Sequence, residues 1–398
     1  MILLIHPRDP LIVRDGRPFS AFPGAKIRGY AFPPPQVTAG AIRSRIGLYC
    51  GYGSGAGEKW LRLLQTVKVS GPTLFSLDHN EALYPAPLDA LLLKAGEAEE
   101  GGFDLFRLSP KPVEEGVLTN LPGGLEHPVS APSSMHKRKP EAMPAFWRNR
   151  RFFDWLEWRP AESQKLKAPS ELGISGPDVT YRTHVKVDPI TQTAEESMLY
   201  ETSGLSFLHS NRSQSDGSIG SLGQIETLAL LLAVDGELPD GCAGTLEEAF
   251  TGVFPLGGER RLALWEVGRQ RPFNKLPSSI LDEIKKAKKA RVVLLTPADF
   301  NTDGNDAPFL PEGGYVDGAK VVAAAVGRPL TVSGWDMLAG APKPSRRLAP
   351  AGSVYFVDLS SVKDIEKWVK DRWMQVLAEQ PEQSRHDGYG LAVLGVWR

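Results

Sequence analysis

The chain has 398 residues, 41% of them hydrophobic, with 46 lysines and arginines against 47 acids and a formal net charge of −1. That length and apolar content suit a folded protein of two or three domains and exclude a disordered tail, while the balance of charge confines any nucleic-acid surface to local patches. The two cysteines, Cys50 and Cys242, are too sparse and too far apart for a disulfide framework or a metal site, so the sequence reads as a protein of the reducing cytoplasm.

The apolar start Met1 to Ile5 is cut off by His6-Pro7-Arg8-Asp9, short of a signal-peptide core of about 7 to 15 residues. No later apolar run approaches the roughly 20 residues of a membrane span, so neither secretion nor a membrane partner is expected. Met1 to Val13 reads as a strand and its exit. A helix follows over Pro34 to Tyr49, its start set by proline at the first positions. Beyond the break made by Gly51, Gly53, Gly55 and Gly57, Val67 to Leu77 reads as a second strand. From about 86 to 176 the chain is irregular and too long for an ordinary connection, which marks an insertion.

Val179 to Val187 and Met198 to Leu208 are β-like runs around a polar tip and predict a long hairpin. Gln224 to Asp235 is a buried strand or a short helix, because periodicity alone does not separate the two. Thr245 to Phe250 reads as helix and Arg261 to Val267 as strand. The succession is the ferredoxin-like βαββαβ plan with large insertions.

A second copy follows the segment 268 to 289. Its strands fall at Arg291 to Leu295, Val321 to Val326, Leu330 to Val332, Ser353 to Asp358 and Leu391 to Trp397. Ser361 with Asp364 makes a capping-box-like start to a helix carrying Val362, Ile365, Val369, Trp373 and Val376. The first helix of this copy is not evident. The expected architecture is α+β: tandem ferredoxin-like (RRM-like) modules over residues 1–272 and 273–398, the first with an insertion at about 86–176 and a hairpin at about 179–208.

Catalytic constellations are scarce. No Cys-x-x-Cys, His-Glu-x-x-His or P-loop occurs, and Gly51-x-Gly53-x-x-Ala56 follows a helix where a dinucleotide fingerprint needs a strand, so neither metal nor cofactor is expected. A metal-independent ribonuclease needs only a general acid and base among cations. His136, beside Lys137, Arg138 and Lys139, is the one serious candidate, against the reading of a solvated charge run or a simple RNA contact. The segment His136 to Arg151 interleaves cations with Phe146, Trp147, Phe152 and Phe153. It is either a stacking platform for single-stranded RNA or a core segment with outward charges. Lys285, Lys286, Lys288, Lys289 and Arg291 lie beside Ile280, Ile284 and Ala287 at helical spacing, as on the solvated face of an amphipathic helix.

Several runs stand out together: Arg8-Asp9-Pro10-Leu11, Arg14-Asp15-Gly16-Arg17-Pro18-Phe19, Phe32-Pro33-Pro34-Pro35 with Gly40-Ala41-Ile42-Arg43-Ser44, His184-Val185-Lys186-Val187-Asp188, Leu256-Gly257-Gly258-Glu259-Arg260-Arg261, Gly334-Trp335-Asp336, Ala349 to Phe356, and Gly388-Tyr389-Gly390. In this order they resemble the RAMP superfamily of CRISPR proteins, specifically the type III-B (Cmr) subunit that holds the 5′ end of the guide RNA. The resemblance implies a non-catalytic subunit that caps the crRNA 5′ handle beside the large palm-domain subunit and the repeating backbone subunit. Its rival within the superfamily is a crRNA-processing endoribonuclease using His136. Gly388 and Gly390 resemble the family's glycine-rich loop, where a missing Cβ lets amides approach phosphates. Gly257 and Gly258 before Arg260 and Arg261 follow the same logic, against the alternative of a tight turn. Arg28, Arg43, Arg45 and Lys186 complete the expected RNA contacts, although Arg43 and Arg45, two apart on a helix, cannot share a face. Gln192 and Ser197 stand where the family's hairpin tip has glycine, which implies a stiffer tip.

Overall fold

The structure is a computed structural model that describes residues 1–15, 25–27, 29–52, 58–95, 102–114, 116–119, 121–122, 124–131, 138–157, 164–210, 225–268, 275–301, 307–336 and 340–397. Its first large sheet is built on β1 (Ile2–Pro7), β2 (Lys68–Ser76), β3 (Ile225–Asp235) and β4 (Leu262–Gly268), in the antiparallel order β2-β3-β1-β4. This is the ferredoxin order, with α1 (Pro35–Tyr49) between β1 and β2 and the short α2 (Leu246–Phe250) between β3 and β4.

Of the segment read as strand or short helix, Ile225–Asp235 proves to be strand. Leu228, Leu230, Leu232 and Val234 of β3 face one core, shared with Leu3, Ile5 and the α1 residues Ala39, Ile42 and Ile46. Ala229 and Leu231 face the opposite way into a second core. A central strand covered on both faces needs apolar residues at every position, which removes the alternation that would identify it in sequence.

The second sheet uses β5 (Lys289–Leu294), β6 (Ala319–Ala325), β7 (Val354–Asp358) and β8 (Leu391–Val396) in the order β6-β7-β5-β8, again the ferredoxin order. No α-helix separates β5 from β6 among the described residues. The helix α3 (Ser278–Ala287) precedes β5, with Ile280 and Ile284 buried and its exposed Lys285 paired with Glu366, as the amphipathic reading has it, but Lys288 caps the helix and Lys289 and Arg291 lie on β5, Arg291 fully buried. The protein is thus α+β.

Several expectations are corrected. The helix predicted from Ser361 to Val376 is shorter, α4 (Ile365–Arg372): the Asp364 carboxylate caps it by accepting the Lys367 N–H at 2.9 Å, and Met374 leaves it with a φ of 56°. Val376 joins a short strand, Gln375–Val376, at the edge of β8, and Leu330–Val332 pairs with Arg346–Leu348 outside the sheet. The described residues of the stretch 86–176 carry regular elements. Ala90–Lys94, Phe103–Arg107 and Gln164–Leu166 form a small sheet, Phe146–Arg148 extends the first sheet through Glu81–Pro85, and Asn149–Glu157 is a helix. Elements this short carry too little period to read. What holds them is burial: Tyr84, Trp147, Phe152 and Trp155 lie in one core with β5, β7 and β8. Within that core Arg291 pairs with Asp89 and donates to the carbonyls of Val396, Trp155 and Leu156 at 2.9 to 3.2 Å.

Cys50 and Cys242, expected to stay apart, form a disulfide with a Cα–Cα distance of 5.1 Å. The connection from β3 to α2 runs beside the end of α1, where Tyr49 also bonds Glu248, and this brings together cysteines 192 residues apart. No helix among the described residues is long and apolar enough to cross a membrane. A short helix, α5 (Glu382–Asp387), leads into β8.

Candidate nucleic-acid interface

The predicted hairpin comprises Asp178–Val187 and Ala194–Ser206. Among the described residues it belongs to neither large sheet, pairing with Ala25–Ile27 and, at its base, with Leu11 through reciprocal bonds to Leu205 of 2.8 and 2.9 Å. Side chains alternate across it. Val179, Tyr181 and Val185, with Leu199 opposite Val185, share one face and are exposed, Tyr181 by 67%. The other face carries Arg182 and His184. The His184 ring stacks on Tyr200 with centroids 5.0 Å apart, and its Nε2 lies 2.9 Å from Thr202 Oγ1.

At the tip the Asp188 carboxylate accepts the N–H groups of Thr191 and Ile190 at 2.9 and 2.7 Å, bonds that hold its pKa below the ordinary aspartate value. Gln192 adopts a φ of 57°, so a side chain does fill the left-handed position where the family has glycine. A cavity of about 650 Å³ opens at the base of the hairpin between Leu11, Val13, Tyr30, Tyr181, Glu201 and Ser203. Aromatic, aliphatic and single polar groups of this kind suit recognition. Among the described residues no cluster of three or more His, Cys, Asp or Glu could hold a metal.

Arg28, His136 and Lys137 lie outside the described residues. The remaining expected contacts divide. Lys139 and Arg260 are exposed and make no ion pair among the described residues. Lys186 crosses the hairpin to Glu195 at 2.8 Å, Arg138 bonds Asp104 at 2.8 Å and the Lys94 carbonyl, and Arg261 pairs with Glu259 at 2.7 Å.

Arg43 and Arg45 do face opposite ways, but both turn into the protein. Arg43 joins Asp387 and donates to the carbonyls of Val67 and His386 at 2.9 and 3.0 Å, while Arg45 donates to the Ala249 carbonyl at 2.6 Å and lies over Phe254. Both side chains thus have internal partners.

The glycines are closely packed as well. Gly388 has a φ of 94°, and a Cβ there would come within 2.5 Å of the Val69 carbonyl, so its close approach is to β2. The Gly390 N–H donates to Pro297, and the Gly258 N–H to Ile12, each at 2.7 Å, so neither amide faces outward for a phosphate. The interleaved aromatics also serve the core. Trp147 and Phe152 are fully buried, and Arg148 binds Glu81 and Glu226. The apolar hairpin face escaped the search for cations, although alternation from Val179 to Val187 was its signal.

A family model described as CRISPR-associated protein (Cas_Cmr3) matches residues 3–397. The chain belongs to the Cas_Cmr3 family. As a Cas_Cmr3 protein it is a subunit of a type III CRISPR effector, in line with motifs spread from Arg8 to Gly390. Solved chains are similar at a distance. One, from a cryo-EM structure of the type III-B Cmr-beta complex bound to cognate target RNA, is 15% identical, with 98% of this chain and 95% of that one covered and a TM-score of 0.49. Another, from the same kind of complex with target RNA and AMPPnP, is 14% identical over 89% and 86% of the two chains, with a TM-score of 0.46. A chain of the Csm3–Csm4 subcomplex of the type III-A interference complex is 12% identical over 100% and 99%, with a TM-score of 0.35. At such scores the family match alone carries the assignment. No curated protein is similar enough to count as a relative.

Proposed function

We propose that this Cas_Cmr3 protein is a non-catalytic RNA-binding subunit of a cytoplasmic type III-B (Cmr) ribonucleoprotein. In this reading it caps the crRNA 5′ handle and contacts the large palm-domain subunit and the first repeating backbone subunit. The observation that carries the reading is the projecting hairpin. An apolar face of Val179, Tyr181, Val185 and Leu199 stands in water with no core of its own, beside a cavity wide enough for an extended segment. Such a surface gains free energy only when a partner covers it. Arg260, exposed and unpaired among the described residues, follows Gly258, whose N–H meets Ile12 beside the hairpin base, and suits phosphate oxygens there.

Ultraviolet crosslinking of labelled handle RNA in the reconstituted complex tests the role, with crosslinks expected on this chain. Their absence leaves it a purely architectural adaptor. Metal-free incubation with repeat RNA tests the non-catalytic half: specific cleavage that disappears in His136→Ala would replace the scaffold reading with an endoribonuclease.

A further inference from the structure

We propose that a second pocket, between α1, α5 and the short ribbon Trp335–Asp336/Ala341–Pro342, takes one unstacked nucleotide of single-stranded RNA, its base on the Trp335 indole and its phosphate beside Lys343. The inference rests on the RNA-binding reading above and adds a site to it. The pocket encloses about 340 Å³ and lies outside the hairpin and its cavity.

Trp335 is the anomaly that identifies it. Trp147, Trp155 and Trp265 are at most 1% exposed, whereas Trp335 is 58% exposed. Its backbone, by contrast, is well held. The Gln36 amide donates to the Ser333 carbonyl at 2.5 Å, the Lys343 N–H donates to the Gly334 carbonyl at 2.8 Å, and Trp335 pairs with Pro342 across the ribbon. Gly334 fits so closely that a Cβ would come 3.1 Å from Gln36 Nε2. A flat aromatic on a fixed backbone, left bare, is a ready platform for a base, since every base offers a π-face.

The charges favour a single nucleotide over a bare anion. Arg43 and Asp387, which line the pocket, neutralise one another; Lys343, with no ion pair among the described residues, is its other cation and Asp336 its other acid, so the lining carries no excess charge to draw a bare anion. One lysine suits one phosphate. Gln65 and Ser44 on the pocket wall add amide and hydroxyl groups that a base edge can meet. Duplex RNA keeps its bases stacked and cannot present one here, so the site selects single strands.

The test uses the full chain and fluorescein-labelled RNA of one sequence, single-stranded or annealed to its complement, read by fluorescence anisotropy. Trp335→Ala should weaken single-strand binding by about 5- to 150-fold, Trp335→Phe by much less, and neither should change duplex binding. In a scan of single abasic substitutions, one position should cost wild type what Trp335→Ala costs, and nothing further in the variant. Wild-type affinity in Trp335→Ala overturns the pocket and leaves the RNA-binding role standing. Loss of single-strand and duplex binding together also overturns it, because stacking does not explain duplex affinity. An intact chain that binds no RNA overturns both readings.

Discussion

At Arg291 a positive charge lies where no water reaches, and Asp89, also fully buried, is what compensates it. Breaking such a pair leaves the survivor uncompensated, so Asp89→Ala should cost about 3–5 kcal/mol in urea unfolding. The cost should be sharpened by Arg107, which burial and the neighbouring Arg291 push below the usual arginine range. Glu226 behaves differently. Burial alone would raise its carboxyl, but hydrogen bonds from Arg148 and Ser76 outweigh that and hold it below its ordinary 4.5. A depressed folded pKa means its stabilisation is complete above the ordinary value and disappears as pH falls through the folded one. Glu226→Gln should therefore be less stable than wild type by about 1–3 kcal/mol at neutral pH, with the gap in urea midpoints closing as the pH falls below the ordinary carboxylate range. Gly388→Ala should destabilise by about 1–3 kcal/mol in the same assay, because its left-handed backbone and the Val69 carbonyl both exclude a Cβ.

Among the elements, the hairpin is the one whose exposed residues matter more to assembly than to folding. Val185→Asp with Leu199→Asp should leave unfolding within about 0.5 kcal/mol of wild type while abolishing co-purification with the other Cmr subunits. Stable folding with undiminished assembly would sink the hairpin's role. The hairpin was legible in sequence because its strands alternate over ten residues or more, and α1 because Pro34 and Pro35 announce its start. Other elements were hidden for definite reasons. Leu228 to Val234 carries no period because both its faces are covered. The short strands and helix within 86–176 depend on contacts with β5, β7 and β8, more than a hundred residues away in sequence. The candidate site was less legible than the fold. A sequence displays the charge of Arg43 but hides its partner Asp387, 344 residues on, so cations that tie the chain together look the same as cations that await RNA.

Across the whole molecule the two ferredoxin-like sheets share a core. Phe75, Ala229 and Leu231 of the first pack into the same cluster as Val292, Phe356 and Val393 of the second, with the insertion between them. A chain truncated after Gly268 should consequently fail to fold alone, and the intact chain should unfold in one transition by far-ultraviolet circular dichroism and tryptophan fluorescence alike. Two resolved transitions would contradict that. The strand order also governs how the protein is born. β1 leaves the ribosome first, yet its neighbours in the sheet are β3 and β4, and β3 begins roughly 150 residues after β2 ends. At about 5–20 residues per second the first two strands wait roughly 7 to 30 s for the strand that joins them. During that interval Leu3 and Ile5 have no strand to pair with and Leu74 has only Leu83 of the adjoining strand Glu81–Pro85, so these apolar residues stay uncovered over the very stretch of synthesis that builds the insertion.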